Sequence, residues 1–93
     1  ATLSPATVRA VFAHVASSDD PQRTAARTAV TRLTDREREV SVAVARGLSN
    51  AQIARELYAS EATVKTHLAS AQHKLGVTNR VSVAVVVTKA GLV

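Results

Sequence analysis

The sequence contains no cysteine, no tryptophan and no methionine, and it has only one tyrosine and one phenylalanine. Without cysteine, a disulfide scaffold, a cysteine nucleophile and a thiolate metal site are excluded, and the expected location is a reducing compartment, by default the cytoplasm. The shortage of aromatic rings removes the stacking platforms on which single-stranded nucleic acids are bound. His14, His67 and His73 lack the spacing of metal ligands, so we expect no metal site and no cofactor.

Long apolar runs are also missing. No stretch approaches the ~20 apolar residues that a membrane-spanning helix requires, and no charged-then-apolar leader is present, so no membrane contact is expected. The chain has 93 residues, three glycines, two prolines and 46% hydrophobic residues. This length suits one hydrophobic core, and this composition excludes a disordered or collagen-like protein. We expect one soluble folded domain with an additional arm.

Acidic residues are fewer than basic ones, at seven against 12, and the net charge is +5. A polyanion is therefore the first partner to consider, and the lack of aromatic residues favours duplex DNA. Most basic residues of the second part of the chain lie among acidic ones, a pattern typical of solvated helix faces with weak ion pairs. We assign no chemistry to this alternating set, which comprises Arg36, Glu37, Arg38, Glu39, Arg46, Arg55 and Glu56.

Local signals divide the chain at residue 32. Ser4 and Pro5 are typical of a helix start, and the apolar spacing that follows predicts an amphipathic helix over residues 5–16. Residues 17–32 lack a sustained apolar period, which predicts a linker with a helical part around residues 23–30. We therefore expect an N-terminal helix and linker over 1–32 and a compact domain over 33–93.

Four helices are predicted in residues 33–93 from their start and stop signals. Thr34 and Ser49 each begin a capping-box spacing, which predicts a helix over 35–46 and a short helix with an apolar face. Ser60 precedes a helix over 61–75. The residues of that helix expected to be buried are Val64, Leu68, Ala71 and Leu75. Asn79 precedes a fourth helix that ends at Gly91, and its valine alternation, which would favour a strand, is broken by adjacent valines.

A short helix, a three-residue turn and a longer helix form a helix-turn-helix, whose second helix enters the major groove of DNA. Ala54 permits a close helix crossing, whereas Tyr58 stands where many such motifs have glycine. The supporting motifs are LTDREREV (33–40), GLSNAQIA (47–54), SEATVKTH (60–67), KLGVTNR (74–80) and GLV (91–93). Together they resemble the LuxR/NarL/FixJ-type DNA-binding domain of bacterial transcription regulators. The resemblance implies an all-α fold, a four-helix LuxR/NarL-type helix-turn-helix domain preceded by an amphipathic linker helix.

The resemblance also implies the site residues. Lys65 and Thr66 fall in its base-reading stretch, since lysine can donate to guanine and a threonine methyl can contact thymine. The remaining expected DNA-contacting residues are Ala62, Thr63, Ala69, Ser70, Ser49, Asn50, Ser60, Lys74 and His67. Ser49 and Ser60 have the alternative role of helix caps, His67 that of a packed residue, and Arg80 either holds the last helix or reaches a phosphate. In the last helix one stripe can enter the core, formed by Val83, Ala84 and Val87. The opposite stripe of Val81, Val85 and Thr88 is expected to stay exposed at a two-fold dimer interface, and the alternative is that all of it packs against the N-terminal helix.

Small residues stand where the family usually has large ones, at Ser41, Ala43 and Ala71. Each exchange removes buried methylenes worth roughly 0.8 kcal/mol apiece. We therefore expect a thin core that the N-terminal helix or a partner subunit completes.

The resulting functional prediction is sequence-specific binding of double-stranded promoter DNA for transcription regulation. The chain would act as a homodimer and as the C-terminal effector domain of a bacterial two-component response regulator controlled by phosphorylation. The resemblance implies RNA polymerase as a further partner and the bacterial cytoplasm as the location. No nucleophile–base pair is visible, so an enzyme is not expected. The alternatives are a protein-interaction module that has kept the fold and the output domain of a regulator with a small-molecule sensor.

Overall fold

The computed structural model of the protein describes residues 4–9 and 20–93, and within these ranges the regular structure is entirely helical. Residues 5–9 are helical, and five complete helices follow. These are α1 (Pro21–Val30), α2 (Asp35–Ala45), α3 (Asn50–Leu57), α4 (Glu61–Leu75) and α5 (Arg80–Lys89). The all-α prediction is confirmed, and the valine-rich last segment is a helix rather than a strand. Of the described helices, none is both long and apolar enough to cross a membrane.

Side-chain caps begin the helices where the sequence predicts them. The Thr34 hydroxyl accepts from the Glu37 N–H at 3.1 Å, and the Glu37 carboxylate accepts from the Thr34 N–H at 2.8 Å. Ser49 and Gln52 form the same reciprocal pair at the start of α3. Asn79 accepts from the Ser82 N–H at 2.8 Å at the start of α5. Each cap satisfies backbone N–H groups that a first helical turn leaves free.

The N-terminal segment partly follows its prediction. The Ser4 hydroxyl accepts from the Thr7 N–H at 3.2 Å, as expected for a cap, whereas the continuation of this helix to residue 16 falls outside the described residues. Within the predicted linker, α1 begins at Pro21, earlier than expected, because Asp20 caps it. Pro21 suits a first helical turn since its missing N–H would have no partner there.

The main core lies between α2, α3, α4 and α5. Its buried members are Val40, Ala43, Val44, Ile53, Ala54, Val64, Leu68, Val83 and Val87. A second cluster joins α1 to the domain, in which Val30 and Leu33 cover Ala71 of α4. The cover over the small residue Ala71 thus comes from the predicted linker and Leu33 rather than from the predicted N-terminal helix, and burial of Val30 contributes about 2 kcal/mol.

The turn between α3 and α4 has the left-handed conformation that the motif requires. Tyr58 adopts φ 53° and ψ 43°, and its side chain is almost fully exposed. A left-handed conformation costs a residue with a Cβ about 1–2 kcal/mol, so Tyr58 stores local strain where glycine is usual. Ala54, buried on α3, supports the close packing of α3 against α4. This packing holds α4 in a fixed orientation.

Candidate nucleic-acid interface

The exposed face of α4 is the candidate DNA-reading surface. Helical spacing places its members on one side of α4, and all of them are exposed. They are Ala62, Lys65, Thr66, Ala69 and His73. The opposite face carries Val64, Leu68 and Ala71, which are buried. Because the buried face is anchored in both apolar clusters, the exposed face is presented by a rigid helix.

Lys65 supplies the cation of this face. It is exposed, and within residues 4–9 and 20–93 no ion pair or hydrogen bond engages its ammonium group. Thr66 differs, because its hydroxyl donates to the carbonyl oxygen of Ala62 at 3.0 Å. What Thr66 offers a ligand is therefore mainly its methyl group. A free ammonium beside methyl groups can donate to guanine and contact thymine methyls.

The first turns of α3 and α4 hold the residues expected near phosphates. The Ser60 hydroxyl accepts from the Thr63 N–H at 3.0 Å and donates to the Thr63 hydroxyl at 2.9 Å. Ser49 likewise caps α3, accepting from the Gln52 N–H at 3.2 Å. The alternative role of both serines as caps is thus confirmed. Backbone N–H groups at such helix starts also suit anions.

Arg80 connects the start of α5 to the loop before α3. Its guanidinium donates to the Asn50 side-chain oxygen at 3.1 Å and to the Leu48 carbonyl oxygen at 3.0 Å. Arg80 therefore holds the fold at the first turn of α5, which agrees with the first of its two predicted roles. Asn50 uses its amide oxygen in this contact.

Glu37 departs from the sequence interpretation, which assigned it to a solvated face of weak ion pairs. Its residue exposure is only 4%, because α2 turns this side chain toward α4. The carboxylate accepts from Lys74 Nζ at 2.7 Å, from the Ser70 hydroxyl and from the Thr34 N–H. Burial opposes its ionisation and would raise its pKa, but the hydrogen bonds from Lys74, Ser70 and Thr34 outweigh burial and lower the pKa to about 2. The interpretation was wrong for this residue.

The other described ion pairs match the interpretation of solvated faces. Arg36 pairs with Glu39 at 3.0 Å and Arg46 with Glu56 at 3.4 Å, and all four side chains are about half exposed. Such pairs contribute about 0–1 kcal/mol each. These exposed pairs therefore add little to the stability of the fold.

The structure divides the predicted DNA-contacting residues into groups. Lys65, Thr66 and Ala69 lie together with Ala62 and Thr63 on exposed parts of α4. Ser49, Asn50 and Ser60 lie at helix starts and take part in caps or in the Arg80 contact. Ser70 and Lys74 bond to Glu37, and His67 is half-buried. Whether each of these residues contacts DNA stays a prediction.

The sequence pattern did contain a signal for Glu37. Glu37, Val40, Ser41 and Val44 follow the spacing i, i+3, i+4 and i+7, and all four are buried. This spacing marks one face of a helix. The charge of Glu37 obscured the signal, since an unpaired glutamate is almost never buried and its cationic partner is distant in sequence.

Helix α5 presents one valine stripe to the core and another to solvent. Val83 and Val87 are fully buried, whereas Val81 is 69% exposed and Val85 is 46% exposed. Thr88 is also exposed and donates its hydroxyl to the Ala84 carbonyl oxygen at 2.7 Å. The predicted division of this helix into a core stripe and an exposed stripe is confirmed.

Comparison with known proteins agrees with this arrangement. The family described as bacterial regulatory proteins, luxR family, matches residues 31–87. The chain is 37% identical over 90 residues to the transcriptional regulatory protein YhcZ of Bacillus subtilis, covering 97% of this chain and 40% of that protein. It is 51% identical over 53 residues to a nitrate/nitrite response regulator protein homolog of Haemophilus influenzae, covering 57% of this chain and 26% of that protein.

A third relative is the nitrate/nitrite response regulator protein NarP of Escherichia coli, 50% identical over 50 residues, which are 54% of this chain and 23% of that protein. The chain thus spans less than half the length of these relatives. The match to residues 31–87 covers α2, α3 and α4 and most of α5, including the helix-turn-helix. The chain therefore belongs to the luxR family of bacterial regulatory proteins.

Proposed function

We propose that the chain binds double-stranded promoter DNA sequence-specifically and regulates transcription by presenting the exposed face of α4 to the major groove. The observation that carries this proposal is the exposed Lys65 on a helix whose opposite face is buried in the core. A helix held in this way can enter the groove without rearrangement, and an unpaired ammonium is available for a base edge or a phosphate.

The proposed contacts divide between bases and backbone. Lys65 donates to guanine, and Thr66, Ala62 and Ala69 supply methyl contacts. Backbone N–H groups at the starts of α3 and α4, near Ser49, Asn50, Ser60 and Thr63, face phosphates, with His67 at the edge of this surface. Because two of the groove-facing residues are alanines, each subunit forms few direct base bonds. DNA shape and half-site spacing supply the remaining specificity.

We further propose that the chain binds DNA as a two-fold homodimer through α5. The exposed stripe of Val81, Val85 and Thr88 supports this, because an apolar stripe on one helix suits a self-complementary contact. Two copies would then read two half-sites with a fixed spacing.

The intact protein is proposed to be a two-component response regulator of the bacterial cytoplasm, acting with RNA polymerase, in which this chain is the C-terminal output domain. Two relatives carry the words response regulator in their names, and each is far longer than the matched part. Phosphorylation of another domain would release α4 or α5 for DNA binding. Equal promoter affinity of the full-length protein with and without phosphorylation would contradict this control.

The second candidate is a protein-interaction module that has kept the fold and lost DNA binding. The exposed alanines at positions 62 and 69, which offer no hydrogen bonds to bases, favour it. If the chain does bind DNA, the alternative to a response regulator is a regulator whose upstream domain senses a small molecule. It would bind DNA in the same way and differ only in what controls binding.

The experiment that tests the proposal is selection of bound sites from random duplex DNA, followed by a salt titration on the selected site. We expect an enriched half-site, a two-fold repeat and a linear loss of log affinity with log salt, with slope about −0.9 per phosphate contacted. No enrichment and no salt dependence would favour the interaction module.

A further inference from the structure

The carboxylate of Glu37 is buried between α2 and α4, and each of its oxygens has a partner. One oxygen accepts from Lys74 Nζ at 2.7 Å and from the Thr34 N–H at 2.8 Å, and the other accepts from the Ser70 hydroxyl. Among the described residues it is the one buried charged side chain. A buried carboxylate is stable in its charged form only while its hydrogen-bond and ion-pair partners stay in place.

Lys74 forms an ion pair with this carboxylate at 2.7 Å. Its side chain is 33% exposed, so the ammonium lies at the edge of the protein, where a phosphate could approach. Transfer of the ammonium to a phosphate would leave the Glu37 carboxylate buried with fewer partners. A contact with solvated phosphate would not offset that loss, because a buried unpaired charge costs more than a surface ion pair gains.

Ser70 is engaged by the same group. Its hydroxyl proton is directed at Glu37, so this proton is not available to a base or a phosphate. Since Ser70 and Lys74 lie one helical turn apart, a single carboxylate holds both of them. Of the two lysines of α4, Lys65 therefore keeps its ammonium free for DNA within the described part of the chain, whereas Lys74 is held by Glu37.

We propose that Glu37 is a specificity-determining residue that acts through Lys74 and Ser70, holding both away from the DNA backbone. This proposal rests on the proposed function. A free lysine at position 74 would add a phosphate contact that strengthens binding to every sequence equally. Because Glu37 prevents that contact, it lowers the affinity for every DNA sequence. The base contacts then contribute a larger fraction of the binding free energy on the specific site.

The test compares three forms of the 93-residue chain on a short duplex of scrambled sequence: wild type, Glu37→Gln and the double variant Glu37→Gln with Lys74→Gln. In Glu37→Gln the lysine is released, so we expect the salt slope to steepen by about 0.9. Between 1 M and about 0.1 M salt, a slope steeper by about 0.9 corresponds to a factor of about eight in affinity. At about 0.1 M salt, the affinity of Glu37→Gln for the scrambled duplex should therefore exceed that of the wild type by up to about eightfold.

The double variant is the decisive control because it has the same net charge as the wild type. If Lys74 does not contact DNA in the wild type, the double variant has the wild-type salt slope. A slope shallower by about 0.9 in the double variant would overturn the proposal, and so would a Glu37→Gln slope equal to that of the wild type. A purely structural role of Glu37 would not steepen the slope.

A measurement on the unaltered protein covers the case in which Glu37→Gln fails to fold. The ammonium resonance of Lys74 in the wild type, observed by NMR, should keep its chemical shift when scrambled duplex is added. A change of that resonance on DNA binding would overturn the proposal. Failure of the proposed function is recognised differently, as absence of duplex binding by the wild type or as no effect of Lys65→Ala.

Discussion

Lys74 Nζ lies 2.7 Å from Oε1 of Glu37, so that a bond spanning 37 residues of sequence ties the last turn of α4 to the first turn of α2. The same carboxylate closes the capping box of α2 through the Thr34 N–H. One side chain thus takes part both in the cap that begins α2 and in the contact that holds α4 against it. The stability of the fold and the orientation of the candidate interface therefore depend on the same group.

This dependence predicts a specific acid sensitivity. The pKa of Glu37 is lowered to about 2 from its ordinary value of 4.5. A lowered folded-state pKa means that the carboxylate stabilises the fold fully above the unfolded-state value and loses this contribution as pH falls from about 5 toward 2. The free energy of unfolding of the wild type, measured by urea titration at several pH values, should decline over this window.

In Glu37→Gln the free energy of unfolding should decline less over the same window, and at pH 7 it should be lower than that of the wild type by about 1–3 kcal/mol. Equal pH profiles of the two proteins would contradict the role of Glu37.

Removal of Val30 should detach α1 from the domain. Val30→Ala deletes methyl groups that cover Ala71, and we expect a loss of about 1.5–3 kcal/mol in the free energy of unfolding. Ala25→Ser, on an exposed part of the same helix, is the matched control and should change stability by less than about 0.5 kcal/mol. Hydrogen exchange of the α1 amides should accelerate in Val30→Ala alone. If both variants behave alike, α1 does not contribute to the core.

Replacement of Arg80 should loosen the segment before α3. Arg80→Gln cannot reproduce the two hydrogen bonds to Asn50 and Leu48, and we expect a loss of about 1–2 kcal/mol in stability. Amides near residue 48 should exchange faster while those of α4 are unchanged. Arg55→Gln, which removes an exposed arginine of α3, is the control and should have little effect. Unchanged exchange near residue 48 in Arg80→Gln would show that these bonds do not hold the loop.

The exposed valine stripe of α5 predicts a variant defective in dimerisation but not in folding. Val81 is 69% exposed, and an acidic residue in the first turn of a helix is favourable, so Val81→Asp should fold normally. On a duplex with two half-sites it should bind more weakly and less cooperatively, and on a single half-site it should match the wild type. Val83→Ala, which alters the buried stripe, should instead lower stability. Unchanged cooperativity in Val81→Asp would place the dimer contact elsewhere.

Features set by neighbouring residues were predictable from the sequence. The capping pairs at Thr34 and Ser49 and the asparagine cap at Asn79 require groups only three positions apart, so their spacing is sufficient to find them. The buried stripe of α4 follows from the helical period at Val64, Leu68 and Ala71, whereas Leu75, also expected to be buried, is half-buried at the end of the helix. The exposure of Lys65 on the opposite face follows from the same period.

Features set by distant residues were not predictable in the same way. The sequence gives no sign that Lys74 bonds to Glu37, because the pair forms only when α2 and α4 pack together. The start of α1 was missed because its buried face consists of Ala26 and Val30, which is too little apolar surface to produce a periodic pattern. In both cases tertiary packing, rather than local propensity, decides the role of the residue.

The central claim, that α4 reads DNA through its exposed amino-terminal half, is tested most directly by the affinity of Lys65→Ala for the selected duplex. Lys65 is exposed and without a partner among the described residues, so its removal should leave the fold intact. We predict a loss of about 1–3 kcal/mol in binding free energy if Lys65 contacts a base, together with weaker discrimination at one base pair. A Lys65→Ala variant that folds normally and binds the selected duplex with wild-type affinity would contradict the claim.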